Sequence, residues 1–212
     1  MGGRELLYLA FTFAEIVFIN SNYAIVAAFY QVHATTQLGI SRADAATVFA
    51  AFSFANLLAS PVSGALASRF GRKRVLLVGV ATVSISTVVF GLVPDMLPGL
   101  PRLQVPVFIA ARLLQGGGAA LATTCIFADL TDRFPSNQGK VIGLAQGCDG
   151  LGWAAGPPIG GLLFVWGGFR LPFVCFGAAP IVGGPRPDLW VLSYNCHTLT
   201  HALTQPGALN TQ

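Results

Sequence analysis

The chain has 212 residues, of which 54% are hydrophobic and only 9% are charged, and its mean hydropathy is +0.67. Soluble domains carry about 25% charged residues, so the composition excludes an ordinary soluble domain and indicates an integral membrane protein. The net charge of +4 comes from short basic segments between apolar runs. No long basic tract predicts a nucleic-acid partner.

Five apolar runs are long enough to cross a bilayer as helices, which takes about 20 residues each. They cover residues 6–30, 44–68, 75–93, 105–128 and 140–166. A sixth run begins near residue 171 and fades after residue 184, so its apolar part is short. We therefore predict an all-α membrane protein with a six-transmembrane-helix bundle in residues 1–184, followed by a disordered polar tail in residues 185–212.

The basic residues predict the orientation of this bundle, because cytoplasmic loops are enriched in Lys and Arg. With the amino terminus inside, three basic residues lie outside: Arg42, Arg102 and Arg170. The eight on the inside are Arg4, Arg69, Arg72, Lys73, Arg74, Arg133, Lys140 and Arg186. Both termini are therefore expected in the cytoplasm, and the composition does not distinguish a vesicular, vacuolar or plasma membrane.

An internal repeat relates the second predicted span to the fifth. A shift of 96 positions aligns Pro61 with Pro157 and Gly64 with Gly160, at the same end of each span. Because three helices separate the two copies, they cross the membrane in opposite senses. We therefore predict a 3+3 inverted repeat, which resembles the plan nested within each half of major facilitator transporters. The alternative is a chance match of a short Gly and Pro pattern.

The segment GALASRFGRKR, residues 64–74, ends the second span and resembles the major facilitator signature Gly-x-x-x-Asp-Arg-x-Gly-Arg-Arg/Lys. The matching residues are Gly64, Arg69, Gly71, Arg72 and Lys73. Position 68 is Ser, where the family has an Asp that helps to latch the two halves of the carrier. From the residues alone, Gly64 permits close helix approach, Gly71 permits a tight turn, and the basic residues anchor the loop in the cytoplasm without any gating role.

The segment RLLQGGGAA, residues 112–120, resembles the Arg-x-x-Gln-Gly-x-Gly/Ala motif in helix 4 of proton-coupled members of that family. It matches at Arg112, Gln115, Gly116 and Gly118. A buried arginine in a membrane span needs a partner or a wet cavity. The resemblance implies that Arg112 takes part in proton coupling. The alternative is a structural arginine bonded to backbone carbonyls.

The segment GLAQGCDGLGWAAGPPIGG, residues 143–161, is the most specific pattern in the chain. It resembles the helix 5 motif of major facilitator antiporters, with matches at Gly143, Gly152, Gly156, Pro157, Gly160 and Gly161. Small residues four apart let two helices approach closely in a bilayer. Together with the segments at 134–143 and 167–173, it is most similar to the vesicular amine transporter branch, over roughly residues 10 to 182. We expect its glycine face to meet a second half of the carrier.

Two carboxylates lie inside predicted spans, Glu15 in the first and Asp149 in the fifth, each about 13 Å from the cytoplasmic face. A carboxylate at such depth is a candidate for exchanging a proton for a cation. We predict this role for Glu15 and Asp149, with Arg112 tuning the coupling. Alternatively, Asp149 bonds a neighbouring helix. Asn20, Asn22 and Tyr23 are candidates for substrate contacts or for bridges between helices.

The implied function is proton-coupled antiport of an amine-like or drug-like organic cation by half of a carrier. Its expected partners are a small-molecule substrate, the proton, the lipid bilayer and a second six-helix half or a second copy. The chain carries no nucleophile elbow, phosphate loop or paired metal ligands, so we predict no enzyme, no metal and no cofactor.

Beyond residue 181 the chain departs from the family pattern, and it supplies one six-helix half where a carrier needs two. Three explanations stay open. In the first, the sequence runs out of frame or is spliced after the sixth helix. In the second, the chain pairs with another half. In the third, it is a truncated, non-transporting membrane protein that acts as an assembly or regulatory partner.

Overall fold

The computed structural model describes residues 3–183, so the predicted polar tail lies outside the described residues. Within them the chain forms six α-helices, one short 3-10 turn at Pro135–Asn137 and no strand. The helices are α1 Gly3–Thr36, α2 Arg42–Phe70, α3 Arg72–Met96, α4 Pro101–Arg133, α5 Gln138–Gly167 and α6 Arg170–Gly183. The prediction of an all-α structure is confirmed for residues 3–183.

Four of these helices are long and apolar enough to cross a membrane, by length and composition. They are α1 from Glu5 onward, α2, α3 and α4. Helix α5 has 30 residues but is not among the four, since its Gly and Pro residues lower its hydropathy, and α6 has only 14 described residues. The prediction of five full spans is therefore supported for four.

Residue Gly71 alone connects α2 to α3. Its φ of 86° lies in the region that L side chains rarely adopt. Its N–H donates to the Ala67 carbonyl at 3.1 Å, and its own carbonyl accepts from the Val75 N–H at 3.3 Å. The chain therefore passes from one helix to the next through a single residue. We call this side of the bundle the Gly71 end.

Helix α4 lies at the centre of one group and packs on α2 and α3, whereas α1 packs mainly on α5. Helix α6 joins the groups, because it packs on α3 and also contacts α5 and α1. Two apolar clusters fill the interior. The first, toward the Gly71 end, includes Leu9, Ile16, Leu76, Ile126 and Ala145. The second, toward the opposite end, includes Ile25, Tyr30, Phe90, Phe108 and Phe173.

Helix α2 is the least covered of the four apolar spans. Only 17% of the residues in its most apolar 18-residue stretch are buried, against 56% for α1 and α3 and 50% for α4. Large apolar side chains, such as Phe54, Leu57 and Val62, are exposed along it. This broad face is suited to lipid or to another helix.

Candidate functional site

A cavity of about 400 Å³ lies where α1, α2, α4 and α5 meet. All of its lining residues lie near the middle of their helices, so the cavity is at mid-depth in the bundle. They are Ile19, Asn20, Tyr23, Phe52, Ser53, Asn56, Leu57, Ser60, Ala119, Thr123 and Trp153. The lining contains no charged side chain. It combines aromatic rings with amides and hydroxyls, as small-molecule sites do.

Tyr23 is the centre of the aromatic part of this wall. Its ring centroid lies 4.7 Å from that of Phe52, 4.8 Å from that of Trp153 and 5.2 Å from that of Phe49. Three helices contribute these four rings. The cavity therefore has a preformed aromatic side.

Arg112 is fully buried, at 0% exposure, on the side of the cavity away from the Gly71 end. Its Nη1 donates to Gln115 Oε1 at 2.5 Å, and Gln115 Nε2 donates to Thr87 Oγ1 at 2.6 Å. Its Nε and Nη2 have no hydrogen-bond partner in the part of the chain that the structure describes. Aromatic rings surround the guanidinium instead: its Cζ lies 4.9 to 5.9 Å from the ring centroids of Phe52, Tyr23, Phe49 and Phe90.

Glu15 is 6% exposed, and neither of its carboxyl oxygens has a hydrogen-bond partner within residues 3–183. It lies one turn before the lining residue Ile19 on α1, about 6 Å along the helix axis. The glutamate is therefore next to the cavity, on its Gly71 side, without entering the lining.

Asp149 occupies the equivalent place on α5, one turn before the lining residue Trp153, and is half-buried. No hydrogen bond or ion pair described for the chain joins it to Glu15 or to Arg112. The structure places the two carboxyl groups on one side of the cavity and the guanidinium on the other. The predicted coupling between them stays a prediction.

The glycines of the α5 motif pack against α1. A Cβ built on Gly152 would lie 2.6 Å from the Val17 carbonyl oxygen, and one on Gly156 would lie 3.0 Å from that of Ser21. Ser21 Oγ also donates to the Gly152 carbonyl at 3.0 Å. A Cβ on Gly160 would meet the side chain of Phe29 at 2.9 Å.

The prediction that this glycine face awaits a second half of the carrier is therefore wrong for these three residues, because α1 of the same chain covers them. By contrast, Gly143 has open space around it, and Gly161 has only an ordinary contact at 3.7 Å. Pro157 lies inside α5 without ending the helix. The motif joins α5 to α1.

The α4 motif joins α4 to both of its neighbours. Gly116 faces the backbone carbonyl of Phe52 in α2, and a Cβ on Gly118 would lie 2.8 Å from the Gly79 carbonyl oxygen in α3. Gln115 is buried and bonds Thr87 of α3. The small residues bring three helices into backbone contact.

The residues of the α2–α3 signature are dispersed. Gly64 is exposed with nothing within 4 Å of a built Cβ, so it makes no close helix contact within the described chain. Arg69 is exposed beside Phe70, and Lys73 is half-buried. Arg72 pairs with Asp132 at 2.6 Å and donates to the Ala128 carbonyl at 3.3 Å. The acid that holds Arg72 therefore comes from α4, and Ser68 bonds only its own helix, at Ala65.

A polar cluster at the Gly71 end was not predicted. Asp129, which is 6% exposed, accepts from the Tyr8 hydroxyl and, at 3.1 Å, from Arg133 Nε. The Arg133 guanidinium also lies 4.0 Å from the Tyr8 ring centroid. The sequence prediction assigned Asp129 to a loop, but α4 continues to Arg133 and carries it inside. The four-residue spacing of Asp129 and Arg133 was the available signal.

Among the polar candidates on α1, Asn22 bridges helices, because its Nδ2 donates to the Phe176 carbonyl of α6 at 3.4 Å. Asn20 donates to Ile16 of its own helix and lines the cavity together with Tyr23. Of the three, Asn20 and Tyr23 are placed to meet a bound molecule.

A bundle of apolar helices with a mid-depth cavity and buried charged groups beside it is the architecture of a membrane transporter. Comparison with known sequences agrees, since residues 11–200 match the Major Facilitator Superfamily. The chain belongs to that superfamily, and it is an integral, multi-pass membrane protein.

The similar proteins include the MFS-type transporter SLC18B1 of Rattus norvegicus, 32% identical over 159 residues, which are 73% of this chain and 33% of that protein. The SLC18B1 transporter of Homo sapiens is 30% identical over 167 residues, which are 77% of this chain and 35% of that protein. The vesicular acetylcholine transporter of Mus musculus is 32% identical over 136 residues, 63% of this chain and 24% of that protein.

These similarities confirm the predicted branch of the superfamily, and the relatives are transporters rather than enzymes, as predicted. The chain spans about a third or less of the length of these curated relatives. No solved structure matches the chain significantly.

Proposed function

We propose that the chain is half of a proton-coupled antiporter for an amine-like or drug-like organic cation. The observation that carries this proposal is Glu15, whose two carboxyl oxygens are buried and unpaired one helical turn from the cavity. A buried carboxyl group in a membrane protein can hold a proton and, when ionised, attract a cation. One relative is named for acetylcholine, which is an organic cation.

The order of groups along the bundle supports exchange at mid-depth. The Asp129 cluster lies nearest the Gly71 end. Glu15 and Asp149 follow at one depth, the cavity comes next, and Arg112 lies beyond it. A cation in the cavity would have carboxyl groups on one side and a fixed positive charge on the other. In this proposal the bound cation favours the ionised form of Glu15 or Asp149, and the proton of that carboxyl group is displaced. The positive charge of Arg112 tunes the balance between the bound proton and the bound cation.

The contacts between helices are compatible with the 3+3 inverted repeat. Under such a repeat α1 corresponds to α4 and α2 to α5, so the α1–α5 contact becomes the α4–α2 contact. Both of these pairs are closely packed in the bundle. We infer that the Gly71 end faces the cytoplasm, as the basic residues favour, and that the exposed face of α2 receives a second six-helix half or a second copy.

The test is uptake by liposomes that contain the purified chain, with labelled organic cations and an imposed pH gradient. The proposal predicts uptake that depends on the gradient and is abolished by Glu15→Gln. Glu5→Gln makes the same chemical change at an exposed site on the same helix and should leave uptake intact. Asp149→Asn tests the second carboxyl group in the same assay.

Unchanged uptake in the Glu15→Gln variant would remove Glu15 from the mechanism. If the chain alone gives no flux, the assay is repeated with any full-length carrier that co-purifies with it. Flux that then needs this chain supports the half-carrier. Flux that is the same without it supports the alternative, an assembly or regulatory partner that does not transport.

A further inference from the structure

Two aromatic residues, Tyr23 and Phe52, contact both the cavity and the buried arginine. Both line the cavity. Both also lie against the Arg112 guanidinium, whose Cζ is 5.3 Å from the Tyr23 ring centroid and 4.9 Å from that of Phe52. These rings therefore form a wall with the cavity on one side and a fixed positive charge on the other.

The guanidinium depends on this wall more than on hydrogen bonds. Only its Nη1 has a partner, Gln115 Oε1, while Nε and Nη2 have none. No carboxylate pairs with it among the contacts described for residues 3–183. The π faces of the rings supply most of its favourable electrostatic contacts, since a cation is attracted to the electron-rich face of an aromatic ring.

A cation in the cavity would use the same rings, because the lining has no charged side chain. The aromatic groups available to it are Tyr23, Phe52 and Trp153, and only Trp153 has no contact with Arg112 among the cation–ring contacts. A substrate cation and the guanidinium are thus like charges that share two rings. In a low-dielectric interior such charges repel one another strongly.

We propose that Arg112 and the substrate cation compete for Tyr23 and Phe52, which makes Arg112 a residue that determines specificity. It lowers the affinity of the cavity for cations and leaves the affinity for uncharged molecules of the same shape unchanged. This inference rests on the proposed function, since it assigns the transported cation to this cavity. It also gives Arg112 a physical means of tuning exchange, because a bound cation loosens the contacts that hold the arginine.

The experiment measures binding of choline and of its uncharged carbon analogue, 3,3-dimethylbutan-1-ol, to the full chain in lipid nanodiscs. Replacing Trp166 and Trp190 by Phe leaves Trp153 as the only tryptophan, so its fluorescence reports the cavity. Arg112→Gln should lower the Kd for choline about tenfold, since the repelling charge is gone. The Kd for the alcohol should not change.

Arg112→Lys is the matched control, since it keeps the charge and should keep the Kd for choline within about twofold of the parent. Phe52→Leu removes one of the two rings that the cavity and Arg112 share, and keeps the arginine itself. It should raise the Kd for choline several-fold while the alcohol binds as before.

Equal Kd values for choline in the Arg112→Gln and Arg112→Lys variants would overturn the inference. So would a parallel change for choline and the alcohol, or an absence of choline binding in both variants and the parent. Liposome uptake is measured on the same preparations. Uptake without the Kd pattern refutes this inference and leaves the proposed transport standing. The Kd pattern with no uptake, either by the chain alone or together with a co-purifying carrier, refutes the proposed transport and keeps the assigned site.

Discussion

Helices α4 and α5 both contain packed and open glycines a few residues apart, and the two kinds differ only in the face they occupy. In α5, Gly152 and Gly156 lie against the α1 backbone, whereas Gly147 and Gly150 have nothing within 4 Å of a built Cβ. In α4, Gly116 is packed and its neighbour Gly117 is open. A glycine-rich run therefore does not mark one smooth interface, and the contact is made by the glycines on one stripe.

Gly116→Ala should have the largest effect of these glycine substitutions. The added methyl group would overlap the backbone carbonyl of Phe52, which cannot rotate away. We expect a loss of about 2–3 kcal/mol in the free energy of unfolding, measured as a lower thermal midpoint in detergent. Because Phe52 lines the cavity, Trp153 fluorescence should also shift. Gly117→Ala is the control, and an equal loss there would contradict the comparison.

Gly152→Ala should come next. Its methyl group would meet the Val17 carbonyl oxygen at 2.6 Å and the Asn20 side chain at 2.9 Å, so α1 and α5 must separate slightly. A cost of about 1–2 kcal/mol is expected, again from thermal unfolding. The same change at Gly150 meets open space and should be neutral or stabilising by up to about 1 kcal/mol, because Ala favours a helix. The comparison fails if both variants lose stability.

Gly160→Ala should have the smallest effect of the packed positions. Its neighbours are Cε2 of Phe29 and Cγ1 of Ile25, at 2.9 and 3.0 Å, and these side-chain atoms can shift where a backbone carbonyl cannot. We expect a loss below about 1 kcal/mol. A thermal midpoint that falls as far as that of Gly152→Ala would show that side chains in this interface are as rigid as backbone.

Helix number and class were predictable from the sequence because apolar runs of membrane length are separated by short loops with basic residues. The first and last residues of each helix were less predictable. The first run was predicted at 6–30 and α1 extends over Gly3–Thr36, since a run of apolar residues measures the hydrocarbon core and the helix continues past it. Asp129 was assigned to a loop for the same reason.

The cavity could not be predicted as a set of residues. Asn20, Phe52, Thr123 and Trp153 come from four helices, and the sequence does not give the rotation of each helix about its axis. The sequence identified Arg112 as a buried charge that needs partners. It did not identify the four rings that surround the guanidinium. Those rings lie on three other helices, and contacts between distant segments leave no local pattern.

The single-residue turn at Gly71 has a mechanical consequence. Helices α2 and α3 share one joint, and Arg72 beside it is fastened to Asp132 of α4 at 2.6 Å. A one-residue connection keeps the two helix ends close together, so a displacement of this end of α2 moves the end of α3 with it. The Arg72–Asp132 ion pair favours movement of the end of α4 in the same direction. We expect the Gly71 ends of these three helices to move together. Lengthening the joint by two glycines after Gly71 should uncouple them.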